Sequence, residues 1–174
     1  LPYFDALLAL SNSNKHTKEL TEVMAMVNAM KVLTHRGCID VQSSRKYVIY
    51  VLADGQIPLT AAIIALHYPS LECIYSIDPL LETYTETLDR IHVFAGMSQD
   101  FRIPATPDTT SIIIACHSHA PLQEFWDRVA TPKYAITMPC CSIAYSSLDI
   151  SPIDQYDDFE VYSPKRRICL YEAI

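Results

Sequence analysis

The sequence predicts an α/β fold in which a mostly parallel sheet has helices on both faces and ends in an antiparallel hairpin. Short apolar runs of strand length alternate along the chain with segments of helical spacing. Strands joined by helix-length crossovers pair in parallel and are covered on both faces. The last two strand-like runs are separated only by residues 163–166, which predicts a hairpin at the edge of the sheet.

A helix that precedes the sheet is predicted at residues 14–33. Its apolar residues recur at steps of three and four, namely Leu20, Val23, Met24, Val27, Met30 and Leu33. Gly37 provides a stop signal, so we expect the helical segment to lie within residues 14–37. The spacing indicates an amphipathic helix with one face in the core.

Five apolar runs predict the parallel strands, at residues 47–52, 73–77, 91–95, 111–116 and 134–138. The first run, YVIYVL, is continuously apolar, as is typical of a strand that is buried on both faces. Helices are predicted between the strands at residues 59–67, 80–88 and 121–129. The final hairpin is predicted from strands at 159–162 and 167–171, and residues 142–158 are predicted to form a loop.

Composition indicates one domain over residues 1–174, because half of the residues are apolar and 19% are charged. The net charge of −7 argues against a protein that mainly coats nucleic acid. No run reaches the roughly 20 apolar residues of a membrane helix, and no signal-peptide pattern is present. The six cysteines form no CxxC pair. We therefore expect free thiols in a reducing intracellular compartment, the cytoplasm or an organelle matrix, and no membrane association.

The loop after the first strand is where an open parallel sheet usually binds its ligand. Residues 51–59 read Val-Leu-Ala-Asp-Gly-Gln-Ile-Pro-Leu. This resembles the V-L-G-x-G-x-G-P-L loop of class I S-adenosylmethionine-dependent methyltransferases, especially the type II arginine methyltransferases, with Ala53, Gly55 and Ile57 at the glycine positions. The resemblance implies a Rossmann-like methyltransferase fold and S-adenosylmethionine as cofactor, bound in part by Ala53, Asp54 and Gly55.

Three further residues are expected to bind the cofactor on the same resemblance. In that family an acidic residue at the end of the second strand holds the ribose, and Asp78 lies 23 residues after Gly55. The simpler alternative is that the Asp78-Pro79 pair only ends the strand. Ser98 and Asp100 follow the third strand, where such enzymes contact the adenine.

The segments CHSHAPL at 116–122 and MPCC at 138–141 resemble a divergent methyltransferase branch that includes tRNA-modifying enzymes. RNA is the preferred substrate class on this resemblance. His117 and His119 are the candidate catalytic residues, as general base or substrate contacts, with strand-terminating polar residues as the alternative. A zinc site of Cys116, these histidines, Cys140 and Cys141 is disfavoured because adjacent cysteines point to opposite faces of a strand, so no metal is expected.

Two functions remain open at the level of sequence. Methyl transfer is favoured by the loop and by the order of elements. Two observations favour the alternative, an inactive module that binds within a larger protein or ribonucleoprotein complex. Ala53 and the β-branched Ile57 replace glycines of the resembled loop, and the sequence motifs of amino-group and ribose 2′-O-methylation are absent. The basic residues 165–167 are candidates for contact with RNA phosphates, or they belong to a solvated turn. A reductase-type nucleotide-binding protein is disfavoured because no GxGxxG motif is present.

Overall fold

The computed structural model describes residues 14–41, 46–83, 89–140 and 147–174. Its helices are α1 (Asn14–His35), α2 (Leu59–His67) and α3 (Leu122–Arg128), with a 3-10 turn at Pro79–Thr83. Its strands are β1 (Lys46–Leu52), β2 (Cys73–Ile77), β3 (Ile91–Phe94), β4 (Thr109–Cys116), β5 (Lys133–Met138), β6 (Asp154–Asp157) and β7 (Arg167–Ala173).

The seven strands of the described residues form one sheet in the order β3-β2-β1-β4-β5-β7-β6. The strands β1 to β5 are parallel to one another, whereas β7 is antiparallel to both β5 and β6. The predicted α/β class, mostly parallel sheet and C-terminal antiparallel hairpin are therefore confirmed. The chain moves outward from β1 to β3 and then returns to the other side of β1 at β4, so the strand order reverses between β1 and β4.

A hydrophobic core covers each face of the sheet. Successive residues of a strand point to opposite faces, so Ile49 of β1 packs with α1 and α2 while Tyr50 packs with α3. The α1–α2 core contains Met30 among its fully buried residues, and the α3 core contains Phe125 in edge contact with the Tyr50 ring. The prediction of helices on both faces is confirmed, and it explains why β1 is apolar along most of its length.

Helix α1 is confirmed, and it ends two residues later than predicted. Gly37 has a φ of +72°, and its N–H donates to the Thr34 carbonyl, while the Cys38 N–H donates to the Leu33 carbonyl. A left-handed glycine of this kind ends a helix because it satisfies the last carbonyls. The predicted apolar face was wrong at Leu20, which is 44% exposed.

The hairpin prediction was wrong in its first strand. The strand that pairs with β7 is Asp154–Asp157, inside the predicted loop, while Phe159 and Tyr162 of the predicted strand are each 73% exposed. The reason is that β6 is an edge strand with alternating burial and a polar sequence, DQYD, so no apolar run marks it. Residues 142–146 of the predicted loop lie outside the described residues.

The helix predicted at 80–88 is replaced at its start by the 3-10 turn Pro79–Thr83, and residues 84–88 lie outside the described residues. Among the residues that are described, no helix is long and apolar enough to cross a membrane. The five described cysteines, Cys38, Cys73, Cys116, Cys140 and Cys169, are free thiols.

Candidate functional site

A cleft of about 590 Å³ opens at the carboxyl ends of β1 and β4. The loop after β1 contributes residues 53–57, and the end of β4 contributes Cys116 and His117. Helix α1 adds Glu19 and Glu22. The cleft therefore lies at the point where the strand order reverses, which is the usual ligand position in an open parallel sheet.

The loop after β1 turns sharply through two left-handed residues. Ala53 has a φ of +58° and Gly55 a φ of +87°. The Ala53 N–H donates to the Ile77 carbonyl at 2.8 Å, which fastens the start of the loop to the end of β2. Left-handed backbone favours glycine, so Ala53 holds a strained conformation at a position where the resembled loop has glycine.

Asp54 of this loop caps helix α2. Its carboxylate accepts the N–H groups of Thr60 at 2.8 Å and Ala61 at 3.2 Å, and it accepts the Ser76 hydroxyl at 2.8 Å. Burial raises the pKa of Asp54 above its ordinary value, although the hydrogen bonds from Ser76, Thr60 and Ala61 oppose that rise. The predicted cofactor residue Asp54 thus lines the cleft while its carboxylate holds the first turn of α2.

Asp78 contacts the loop after β1 from the end of β2. One carboxylate oxygen accepts the Gly55 N–H at 2.9 Å and the other accepts the Leu80 N–H at 2.7 Å. The residue is only 6% exposed. Each carboxylate oxygen can accept a second hydrogen bond, so the ribose contact stays a prediction that this geometry permits.

Ser98 and Asp100 are not among the residues that line the cleft. Ser98 is buried, and its carbonyl accepts a hydrogen bond from the Arg128 guanidinium at 3.0 Å. The same guanidinium holds the carbonyls of Gln99 and Phe101. Asp100 is exposed. Arg128 therefore fixes the shape of this loop, and adenine binding by Ser98 or Asp100 stays a prediction.

The two candidate histidines are in different surroundings. His117 lines the cleft, adopts a φ of +48° and places Nε2 2.9 Å from Glu22 Oε1. His119 is exposed, and its Nε2 lies 3.3 Å from Cys140 Sγ. The structure thus brings His117 to the loop after β1 but gives His119 a separate environment. Cys141, which the zinc alternative included, lies outside the described residues.

Glu22 of α1 is the charged residue most closely tied to His117. It is 6% exposed and lies 3.5 Å from the Lys18 ammonium. Burial acts to raise the pKa of Glu22, but the hydrogen bond with His117 and the charges of His117 and Lys18 hold that pKa below its ordinary value. Glu22 is therefore a carboxylate at neutral pH.

Cys116 completes a compact group with Glu22 and His117, whose ligand atoms all lie within 4.8 Å of one another. Burial raises the pKa of the Cys116 thiol well above its ordinary value, and the negative charges of Glu22 and Asp54 raise it further. Since the thiolate is the reactive form of cysteine, Cys116 by itself is a poor nucleophile.

The sequence interpretation missed Glu22, although a signal was present. Glu22 lies 4, 7 and 11 residues before the fully buried Met26, Ala29 and Leu33, so it continues their face of the helix. An acidic residue in such a line is uncommon unless it has a partner. The partner, His117, is 95 residues away in the chain.

The cleft is acidic, since Glu19, Glu22 and Asp54 line it and no lysine or arginine does so among the described residues. This charge favours a cationic ligand over an anionic one. No protein-family model matches the chain, and no curated protein is significantly similar to it. The position, charge and donor groups of the cleft are the observations from which a function is proposed below.

Proposed function

We propose that the protein binds S-adenosylmethionine in the cleft and transfers its methyl group. The observation that carries the proposal is the position of the cleft between the β1 loop and the end of β4, where the strand order reverses. The strand order itself, with an antiparallel β7 between β5 and β6, agrees with that of the class I methyltransferase fold.

Two parts of the cofactor, the ribose and the positively charged methionine end, have matching groups in this arrangement. The Asp78 carboxylate, next to the Gly55 N–H, offers acceptors for the ribose hydroxyls. The carboxylates of the cleft suit a ligand that carries both a sulfonium and an ammonium charge. Because the cofactor supplies a methyl group that is already activated, the protein needs to bind, orient and exclude water.

RNA is the substrate class that we propose, on the resemblance of residues 116–122 and 138–141 to tRNA-modifying methyltransferases. Of the two candidate histidines, His117 lines the cleft, so we assign the contact with the methyl acceptor to His117 rather than to His119. The cysteine pattern leads us to propose a reducing intracellular compartment.

A second candidate function is an inactive module that binds within a larger protein or ribonucleoprotein complex. The observation that favours it is the side chain of Ile57, which lines the cleft at the third glycine position of the resembled loop. If that side chain fills the space needed by the methionine part of the cofactor, the fold persists without the activity.

Titration of the purified protein with S-adenosylhomocysteine by calorimetry and thermal shift separates the two. We expect a dissociation constant below about 100 μM and a raised Tm at millimolar ligand, because a ligand that binds only the folded state stabilises it. Absence of both heat and shift would overturn the methyltransferase proposal and leave the inactive module.

Asp78→Asn tests the placement of the ribose. We expect at least about tenfold weaker binding, because a charged acceptor is replaced by an amide that accepts at one atom only. Asp108→Asn is the matched control, since Asp108 is exposed and precedes β4 at the other end of the sheet. Equal affinity of both variants would show that the ribose lies elsewhere.

The inactive-module alternative predicts that Ile57→Ala strengthens binding, because a smaller side chain opens the cleft. Both ligand titrations are repeated with this variant. Unchanged affinity would show that Ile57 does not obstruct the cofactor.

A further inference from the structure

The group of Glu22, Cys116 and His117 has a composition and a position that methyl transfer does not require. Its three ligand atoms, a carboxylate oxygen, a sulfur and a ring nitrogen, lie within 4.8 Å of one another. They come from two elements, α1 and the end of β4, that are 95 residues apart in the chain. The fold therefore assembles the group.

The donor types match those of zinc and related divalent ions. Zinc binds cysteine sulfur, histidine nitrogen and glutamate oxygen at about 2.0 to 2.3 Å, so its ligands lie about 3 to 4 Å apart. The observed spacing requires only small side-chain movements to reach that geometry. A thiolate and an imidazole together select such ions over magnesium or calcium, which prefer oxygen ligands.

The electrostatics of the cleft also favour a bound cation. Glu19, Glu22 and Asp54 line it, and the ammonium that approaches Glu22 is that of Lys18, which is half exposed. A divalent ion would compensate these charges far better than one screened lysine.

His117 supplies an independent observation. Its Nδ1 is buried and has no hydrogen-bond partner among the described residues, while its Nε2 is next to Glu22. Because Nε2 faces Glu22, an ion shared with that carboxylate would be bound by Nε2, and Nδ1 is the ring position that carries the second hydrogen bond of a metal-bound histidine. The hydrogen-bonding capacity of His117 is thus not fully satisfied by contacts among the described residues.

We infer that Glu22, Cys116 and His117 bind a divalent zinc-class ion, with a coordination position open to the cleft. Three protein ligands with one open position are the pattern of zinc sites that hold a water or a substrate atom. The open position would accept a nitrogen, oxygen or sulfur atom of a substrate. This inference does not depend on S-adenosylmethionine binding, although His117 would then contact the acceptor through the ion.

Titration of chelator-treated protein with Co²⁺ tests the site directly. We expect one equivalent to bind, with the sulfur-to-cobalt charge-transfer absorption of a thiolate ligand and tetrahedral visible bands, and displacement by Zn²⁺. Cys116→Ser should abolish the charge-transfer band, and Glu22→Gln should weaken binding at least about tenfold. Cys140→Ser is the control, because it removes the thiol that lies against His119 instead.

Absence of binding at millimolar Co²⁺ would overturn the inference, and so would loss of the band in Cys140→Ser with retention in Cys116→Ser. If Cys116→Ser fails to fold by circular dichroism, His117→Gln replaces it. The Co²⁺ affinity of His117→Gln should be at least about tenfold weaker than that of the wild type, and unchanged affinity would overturn the inference. The same chelator-treated protein is titrated with S-adenosylhomocysteine, so failure of the metal site and failure of the proposed function are distinguished.

Discussion

At the scale of single residues, the Asp54 carboxylate caps helix α2 in surroundings where burial disfavours its negative charge. Its carboxylate accepts N–H groups at the start of α2 and the Ser76 hydroxyl, and the residue is half-buried in the loop after β1. A cap of this kind contributes about 1 kcal/mol to a helix. Burial of the charge opposes this, which is why the pKa of Asp54 is raised.

The first prediction concerns the pH dependence of this residue. Because the pKa of Asp54 in the folded state lies above its ordinary value of 3.8, the folded protein binds more protons than the unfolded chain between the two values. The free energy of unfolding therefore falls as pH rises through that interval, with a slope of up to about 1.4 kcal/mol per pH unit.

Asparagine does not titrate, so Asp54→Asn should gain stability relative to the wild type as pH rises above 4. Urea denaturation of both proteins from pH 3.5 to 8 measures the difference. Asp108→Asn, an exposed aspartate, should show no such trend. A constant or falling difference for Asp54→Asn would contradict the raised pKa.

Residues at the site differ in how far the sequence predicted them. Gly55 and Asp78 were each predicted to bind the cofactor on the resemblance, and the structure adds that the Gly55 N–H donates to the Asp78 carboxylate at 2.9 Å. Glu22 was not predicted, because nothing local to α1 indicates that β4 ends beside it. Ser98 and Asp100 were chosen by position after β3, but the orientation of that loop depends on Arg128 of α3.

At the scale of elements, Arg90 holds the connection between α2 and β2. Its guanidinium donates to the carbonyls of Ala65 at 3.0 Å and Leu71 at 2.8 Å, and it also contacts those of Tyr68 and Pro69. The carbonyls at the end of a helix carry partial negative charge, so a cation is favourable there. One side chain thus joins the end of α2, the following loop and the start of β3.

The second prediction is that Arg90→Met lowers the free energy of unfolding by about 2 to 3 kcal/mol, because hydrogen bonds from a charged donor are lost and carbonyls are left unsatisfied. Chemical denaturation monitored by circular dichroism measures this. Arg102→Met is the control, since Arg102 is exposed, and it should change stability by less than about 0.5 kcal/mol. Equal effects would show that the contacts of Arg90 contribute little.

Strand β6 shows where element prediction from apolar pattern fails. Its residues are exposed and half-buried in alternation, and it pairs with β7 alone. An edge strand of this kind gains its stability from backbone pairing and from contacts such as the Arg167–Asp157 ion pair at 2.9 Å, rather than from burial of side chains. The neighbouring Phe159 is apolar but exposed, so hydrophobicity indicated the wrong segment.

At the scale of the whole molecule, the C-terminal strand β7 is part of the core. It lies between β5 and β6 in the sheet. Its residue Leu170 is fully buried in the α1–α2 core, although α1 and α2 precede β7 by about 100 residues or more in the chain. Completion of this core therefore requires β7 to pair with β5.

The third prediction is that Leu170→Ala lowers the free energy of unfolding by about 3 kcal/mol, because the cavity that it leaves is surrounded by packed side chains. Ile174→Ala removes a similar apolar volume from a residue that is 89% exposed, and it should have little effect. Thermal and urea denaturation measure both. A cost below about 1 kcal/mol for Leu170→Ala would show that β7 is peripheral to the fold.

The sequence by itself determined the class of fold, most strand and helix positions and the place of the loop that follows β1. These features depend on local periodicity, on continuous apolar runs and on the fixed order of elements, all of which can be recognised within a short window. The spacing of Gly55 and Asp78 belongs here as well, because it spans a single strand–helix–strand unit.

Tertiary structure alone decided which strand pairs at the edge and which charged groups share the cleft. Edge pairing depends on backbone hydrogen bonds, which do not require apolar side chains and so leave no hydrophobic pattern at β6. The meeting of Glu22 with Cys116 and His117 depends on how α1 packs across the sheet. Such a contact between distant parts of the chain arises when two elements pack together, so the sequence of either segment alone does not predict it.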